Sequence, residues 1–265
     1  MQVDTASEHG LNGPYSVAYK YRSRVEFPFM ATAIVSTWTP EGFVIGADGL
    51  RREEVTGYFI ENAQKISSAR AGNAVLSYGW CGLTRMADRH GKVWFDFSSE
   101  SERVMARLSS LRIERFDDYV VRFAEQIYQG LLTANGGEKL TKNLTYLLRE
   151  NEIARALIVG YFNGAPKSAQ VRILYEGDTL TGTRLAQRNI FEFTVFSGPS
   201  AMLRKFEPRL QNAPATLDDG VALVRDYIQL CIDNRDQDEQ CRAIGGHIHI
   251  ASVTPTEFQW VIPPT

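Results

Sequence analysis

Thr32 stands near the head of the run Ala31-Thr32-Ala33-Ile34-Val35-Ser36-Thr37, and Gly42-Phe43-Val44-Ile45-Gly46-Ala47-Asp48-Gly49 follows across a short turn. A threonine that becomes a chain terminus is a complete small catalyst, because its hydroxyl is a nucleophile and its own α-amine a base. Downstream the chain supplies a carboxylate in Asp48, cations in Arg51 and Lys65, and Ser77-Tyr78-Gly79 as a backbone donor. Acyl transfer from an amide needs these parts: a nucleophile, a base, a cation that lowers the cost of the alkoxide, and an N–H that holds the oxyanion.

These residues need a rigid frame, and the apolar pattern supplies one. Apolar and β-branched residues alternate or run in short blocks over 31–38, 42–49 and 73–79, with turn residues between, which predicts strands joined by hairpins. The period then changes. Phe116, Tyr119, Val120, Phe123, Ile127 and Leu131 recur at three- and four-residue steps and predict a helix stopped by Gly136-Gly137, with shorter helices over 102–111 and 139–149. Strands return at 156–162, 169–175 and 191–196. Thr216-Leu217-Asp218-Asp219 is a capping-box-like start for another helix, and 246–253 with 257–262 predict a final hairpin. Helices gathered in blocks, rather than alternating with each strand, point to α+β with antiparallel sheets and against a parallel nucleotide-binding sheet.

Composition bounds the function. The chain has 265 residues, 44% of them hydrophobic, enough for one large domain, and a formal charge of −2 gives no bulk attraction to nucleic acid or to an anionic membrane. Cys81, Cys231 and Cys241 are too scattered for a disulfide framework or a cysteine-based metal site, which fits a reducing cytoplasm. Residues 1–31 are mixed in character, broken by Gly10, Gly13 and Pro14, and are expected to be a leader or propeptide ahead of a single domain over 32–265. His247 and His249 alternate along a strand but lack a third ligand, so no metal is expected.

From Thr32 to Gly79 the sequence resembles the opening of proteasome β-type subunits and of the bacterial HslV peptidase. Members of that family begin their mature chain with Thr and carry Asp, Arg, Lys and Gly at fixed steps. Here Thr32 to Asp48 spans sixteen residues, Arg51 to Lys65 fourteen and Lys65 to Gly79 fourteen, while Asp48-Gly49-Leu50-Arg51 carries one residue more than the family's Asp-x-Arg. Ser197-Gly198 matches a later family fragment, and Asp236 with Gly245-Gly246 match another, with Ile244 where the family has Ser.

The resemblance implies a four-layer αββα sandwich, two antiparallel sheets with helices outside, the N-terminal-nucleophile (Ntn) hydrolase fold. It implies Thr32 as nucleophile and Lys65, oriented by Asp48, as the cation beside it. Gly79 N–H would be the oxyanion donor, Ser197 and Asp236 would support the amine, and Arg51 would be structural. Cleavage between Ala31 and Thr32 would free an amine with a reference pKa of about 8. The implied activity is hydrolysis of peptide bonds without metal or organic cofactor, in a homo-oligomeric ring, with an unfoldase or regulator as partner. The Ile244 departure and the Ala31 context also admit a catalytically silent ring subunit, and the same nucleophile could serve an amidase acting on a small non-peptide amide.

Overall fold

A computed structural model describes residues 32–52, 59–88, 90–140 and 151–265. The expected leader, the Ala31 side of the predicted cleavage and nearly all of the helix expected over 139–149 lie outside the described residues. In chain order the strands are β1 (Ile34–Thr39), β2 (Gly42–Ala47), β3 (Arg51–Arg52), β4 (Phe59–Ile60), β5 (Ile66–Ala71), β6 (Ala74–Gly82), β7 (Arg85–Ala87) and β8 (Val93–Asp96). Helices α1 (Phe97–Ser109) and α2 (Phe116–Asn135) follow, then β9 (Glu152–Phe162), β10 (Ala165–Glu176), β11 (Thr179–Gln187) and β12 (Thr194–Ser197). The chain closes with α3 (Ser200–Phe206), α4 (Leu217–Asp233), β13 (His249–Val253) and β14 (Phe258–Ile262).

Two five-stranded antiparallel sheets carry the architecture, one in the order β12-β1-β2-β13-β14 and the other β11-β10-β9-β6-β5. Side-chain alternation along each strand builds the layers. In the first sheet Val35, Val44 and Ile250 pack against Val224, Tyr227 and Ile228 of α4. Their neighbours Ile34, Phe43, Ile45 and Ala251 instead meet Ile66, Leu157, Val159 and Tyr161 of the second sheet. The far face of that sheet, through Leu76, Tyr78, Ala156 and Ile158, packs on Phe123 and Ile127 of α2 and on Val104 and Leu108 of α1. The result is the αββα sandwich that the sequence predicts.

Local chemistry sets the helix limits. Asp96 caps α1 by accepting from Ser99 N–H, Gly136 ends α2 in a left-handed conformation at φ 74°, and Thr216 and Asp219 form the full capping box of α4. The first helix starts at Phe97 rather than near 102, because Asp96 supplies a cap that apolar periodicity does not register. β11 was not expected. It is an edge strand whose polar, mostly exposed residues lack apolar alternation. No helix among the described residues is long and apolar enough to cross a membrane.

Candidate functional site

Alternation along β1 sends Ala33 and Val35 toward the helices and Ile34 toward the second sheet. Thr32, two residues before Ile34, shares its side. There its Oγ1 lies 3.3 Å from Lys65 Nζ, and Lys65 Nζ lies 2.8 Å from Asp48 Oδ1. Lys65 immediately precedes β5 and Asp48 immediately follows β2, so the facing sheets bring the two together from seventeen residues apart.

Backbone bonds lace the site. Asp48 Oδ1 also accepts from Ala33 N–H at 2.9 Å, and Oδ2 accepts from Leu50 N–H at 3.3 Å and Gly245 N–H at 3.1 Å. Leu50 N–H donates to Gly245 C=O at 2.7 Å, Ala63 N–H to Gly49 C=O at 2.8 Å, and His247 N–H to Glu61 C=O at 2.6 Å. Three segments, 48–50, 61–65 and 245–249, are thereby tied into one block. Gly49 is required at their crossing, since a Cβ there would come within 2.6 Å of both Glu61 O and His247 O.

Asp48 is fully buried and the Lys65 side chain only 9% exposed. Burial pushes the Asp48 carboxyl up and the Lys65 ammonium down, and each is opposed by the partner's charge and the hydrogen bond between them. Arg51 lies near enough for its charge to push Lys65 further down.

His249, fully buried on β13, is a member of this block that the sequence reading missed. Its Nε2 accepts from Lys65 N–H at 3.2 Å, so it fixes the backbone from which the lysine projects. Burial first, then the Lys65 charge, holds its pKa down to about 4, which keeps the ring neutral and able to accept. His247 is directed elsewhere, its Nε2 2.9 Å from Pro263 O. The two imidazoles do not converge, and no metal-competent group of three or more His, Cys, Asp or Glu occurs among the described residues. The signal in the sequence was His249 within an otherwise apolar strand, on the same face as Ala251 and Val253 of the inter-sheet core.

Ser197 ends β12 opposite Ile34 and is buried. Its hydroxyl meets the Cys81 thiol, which also accepts from Arg155 Nε at 3.2 Å. Burial raises the Cys81 pKa, with Arg155 opposing. Ser197 therefore stands beside the site, coupled to Cys81.

Two expected residues do not play their predicted parts. Asp236 sits exposed in the turn after α4 and makes no hydrogen bond or ion pair with a described residue. The long loop before Gly245 leaves the Asp236 carboxylate in solvent, and from this part of the chain it is Gly245 N–H that reaches Asp48. Ile244, in the place of the family Ser, is fully buried in the α4 core. Gly79 lies mid-strand in β6, opposite Ile66 in β5 and Leu157 in β9. The two-residue turn Gly72-Asn73 makes the flanking pair hydrogen-bonded, and alternation from there turns Gly79 N–H into the β9 ladder. It is thus committed to the sheet instead of an oxyanion. The lack of a side chain at Gly79 has another use, since a Cβ would press within 3.2 Å of Lys65 O and 3.4 Å of Ile34 Cδ1.

The layered architecture defines the class: an Ntn-hydrolase fold with a threonine, a lysine and an aspartate in hydrogen-bonded sequence between its sheets. Comparison with solved structures finds the same fold in Anbu, described as an ancestral β-subunit, from Yersinia bercovieri, at TM-score 0.57 and 10% identity over 87% of this chain and 86% of that one. An Anbu mutant from Hyphomicrobium sp. strain MC1 gives TM-score 0.56 and 11% identity over 87% of both chains. No protein-family model and no curated protein matches the chain. These neighbours correct the expected family: the likeness found is to Anbu, in place of proteasome β-type subunits or HslV. Spacing between a nucleophile, its acid and its lysine follows from the site geometry of the fold, so it does not separate one branch of the fold from another.

Proposed function

We propose that the protein is an N-terminal-nucleophile amide hydrolase that uses Thr32, released by cleavage of the Ala31–Thr32 bond. The observation that carries this reading is the chain Thr32 Oγ1, Lys65 Nζ, Asp48 Oδ1, at 3.3 and 2.8 Å. In it the freed α-amine takes the hydroxyl proton as Oγ1 attacks the substrate carbonyl, then returns it to the departing amine. Water hydrolyses the resulting ester and regenerates Thr32. Lys65 offsets the developing alkoxide charge, Asp48 and His249 hold Lys65 in place, and Ser197 borders the pocket. Residues 32–265 act as one domain and residues 1–31 as a removable leader. Substrates are peptide amides, the site is cytoplasmic, and the neighbours' description as a β-subunit supports assembly of copies into a ring.

A panel of peptide and small acyl aminocoumarin amides tests the reading. Thr32→Ala should abolish turnover and Thr32→Ser should retain part of it; an Ala variant with wild-type turnover refutes it. A second reading, a silent ring subunit that keeps its leader, draws on the exposed Asp236 and the buried Ile244, which remove two groups expected around the amine. It predicts an intact chain and no turnover in the same panel.

A further inference from the structure

Two of the three cysteines stand side by side in a part of the fold that amide cleavage does not use. Cys231 lies in the last turn of α4, and Cys241 ends a single 3-10 turn, Glu239–Cys241. The chain folds back between them: Asp238 N–H donates to Asn234 C=O at 3.0 Å, and Cys241 N–H to Asp238 C=O at 2.9 Å. Both side chains are fully buried in the core between α4 and the first sheet, together with Ile244. There the two thiols are hydrogen-bonded to each other, and the Tyr227 hydroxyl also meets Cys231. Cys81 belongs to the inter-sheet core instead, where it contacts Ser197 and Arg155.

Their surroundings make the two thiols unequal. Cys231 S–H donates to Cys241 Sγ, and that bond first, then burial, raises the Cys231 pKa. The same bond lowers the Cys241 pKa against the opposing effect of burial, with the Lys205 charge assisting. Cys241 is therefore the better thiolate, and Cys231 is placed to resolve what forms on it. Cys241 is also one layer from solvent, since Glu239 and Arg242 beside it are exposed. The pair leads directly to the candidate site. Ile244 N–H donates to Cys241 C=O at 2.9 Å, and the next residue, Gly245, donates to Asp48 Oδ2 at 3.1 Å. Asp48 is near enough to Cys231 for its charge to bear on that thiol.

We propose that Cys231 and Cys241 form a redox modification site, a dithiol that a hydroperoxide converts to an intrachain disulfide, pinning the turn before Gly245 to the end of α4. This does not depend on Thr32 being a nucleophile. The Cys241 thiolate attacks one peroxide oxygen, the O–O bond breaks, and hydroxide leaves and takes a proton from solvent, giving water and a sulfenic acid. The Cys231 sulfur then attacks the Cys241 sulfur. An S–S bond forms, the S–O bond breaks, and the Cys231 proton leaves with the hydroxyl as a second water. The two sulfurs lose two electrons between them and the peroxide gains both. The sulfurs, already in contact, close to about 2.05 Å, and the one-turn segment Glu239–Cys241 is the part that yields.

The test exposes the purified native protein to hydrogen peroxide, blocks the remaining thiols with N-ethylmaleimide in denaturant, and digests with trypsin without reduction. Cleavage after Arg235 separates the two cysteines, so the disulfide joins peptides 226–235 and 236–242 while Cys81 carries the label. Dithiothreitol should restore three labelled thiols. Closing a loop of about ten residues should raise Tm by about 5–10 °C, and hydrogen exchange should slow in the segment that holds Gly245. Cys231→Ser and Cys241→Ser should each lose both the joined peptides and the Tm rise. Three results overturn the site: both thiols still labelled at peroxide levels that oxidise free glutathione, Cys241 oxidation that stops at the sulfinic acid, or a bridge to Cys81. A bridge between Cys231 and Cys241 that leaves Tm and Gly245 exchange unchanged overturns the pinning of the turn.

Discussion

Removing one member of the buried Lys65–Asp48 pair should expose how much of the fold depends on it. At 2.8 Å and an effective dielectric of about 20, the attraction within the pair is about 6 kcal/mol. Most of it offsets the cost of taking both charges out of water, so the informative quantity is the penalty for orphaning one charge, about 3–5 kcal/mol. For a domain of this size that corresponds to a fall in Tm of roughly 6–20 °C. Lys65→Met strands the Asp48 carboxylate, fully buried with only backbone donors, and Asp48→Asn strands the ammonium. Their pH dependences then have opposite signs. In Lys65→Met the folded pKa of Asp48 rises above its unfolded value, so the deficit is largest at neutral pH and shrinks as pH falls through the raised value. In Asp48→Asn the folded pKa of Lys65 lies below its unfolded value, so the deficit shrinks as pH rises toward that of a free lysine. The double variant should regain most of the stability and none of the hydrolysis. Urea titrations of all four proteins between pH 5 and about 9 read these outcomes. Two single variants within about 0.5 kcal/mol of wild type, with parallel pH profiles, would refute the buried-pair argument.

Other consequences are simpler to test. The His249 pKa of about 4 lies below its usual value of 6.5, so the folded state binds fewer protons there than the unfolded chain. Stability should fall by about 3 kcal/mol as pH drops from 6.5 toward 4, and a His249→Gln variant followed by thermal denaturation should lack that component of the slope. Gly49→Ala forces a Cβ against two carbonyl oxygens and should lower Tm and turnover together, by about 1–3 kcal/mol in urea unfolding. Thr216→Ala should cost about 1 kcal/mol through the lost cap of α4 while leaving kcat/KM intact. Asp236→Ala should change both stability and reporter turnover little, by less than about 0.5 kcal/mol, because its carboxylate lies in solvent; a large loss of turnover would restore it to the site.

The fold was legible because its layers are written as periodicities: alternating runs for β1, β2 and β6, three- and four-residue steps for α2, and the Thr216–Asp219 box for α4. The Thr32–Asp48–Lys65 alignment was legible for a related reason, since hairpin lengths fix which strand ends meet. Gly79 shows where spacing stops helping. Its distance from Lys65 along the chain is right, but hydrogen-bond direction depends on counting pairs from the Gly72-Asn73 turn, a property of register. Asp236 was displaced by loop length, which sequence fragments do not fix. The part His249 plays is not legible in the sequence, because its backbone partner, Lys65 N–H, lies 184 residues away. The ion pairs of Glu152 with Arg155 and Arg172 did leave a signal. Arg155 and Arg172 interrupt the apolar runs around Ala154 and Ala156 and around Val171 and Ile173, and a charge on the inner face of a buried strand calls for a partner.

The central claim is that Thr32 becomes a chain terminus. Intact mass and N-terminal sequencing of the protein expressed from Met1, alongside its Thr32→Ala variant, test it most directly. The account predicts a wild-type chain beginning at Thr32 and a variant that retains Ala31 and the residues before it. A wild-type chain that stays uncleaved at Ala31–Thr32 while still hydrolysing the amide reporters would contradict it.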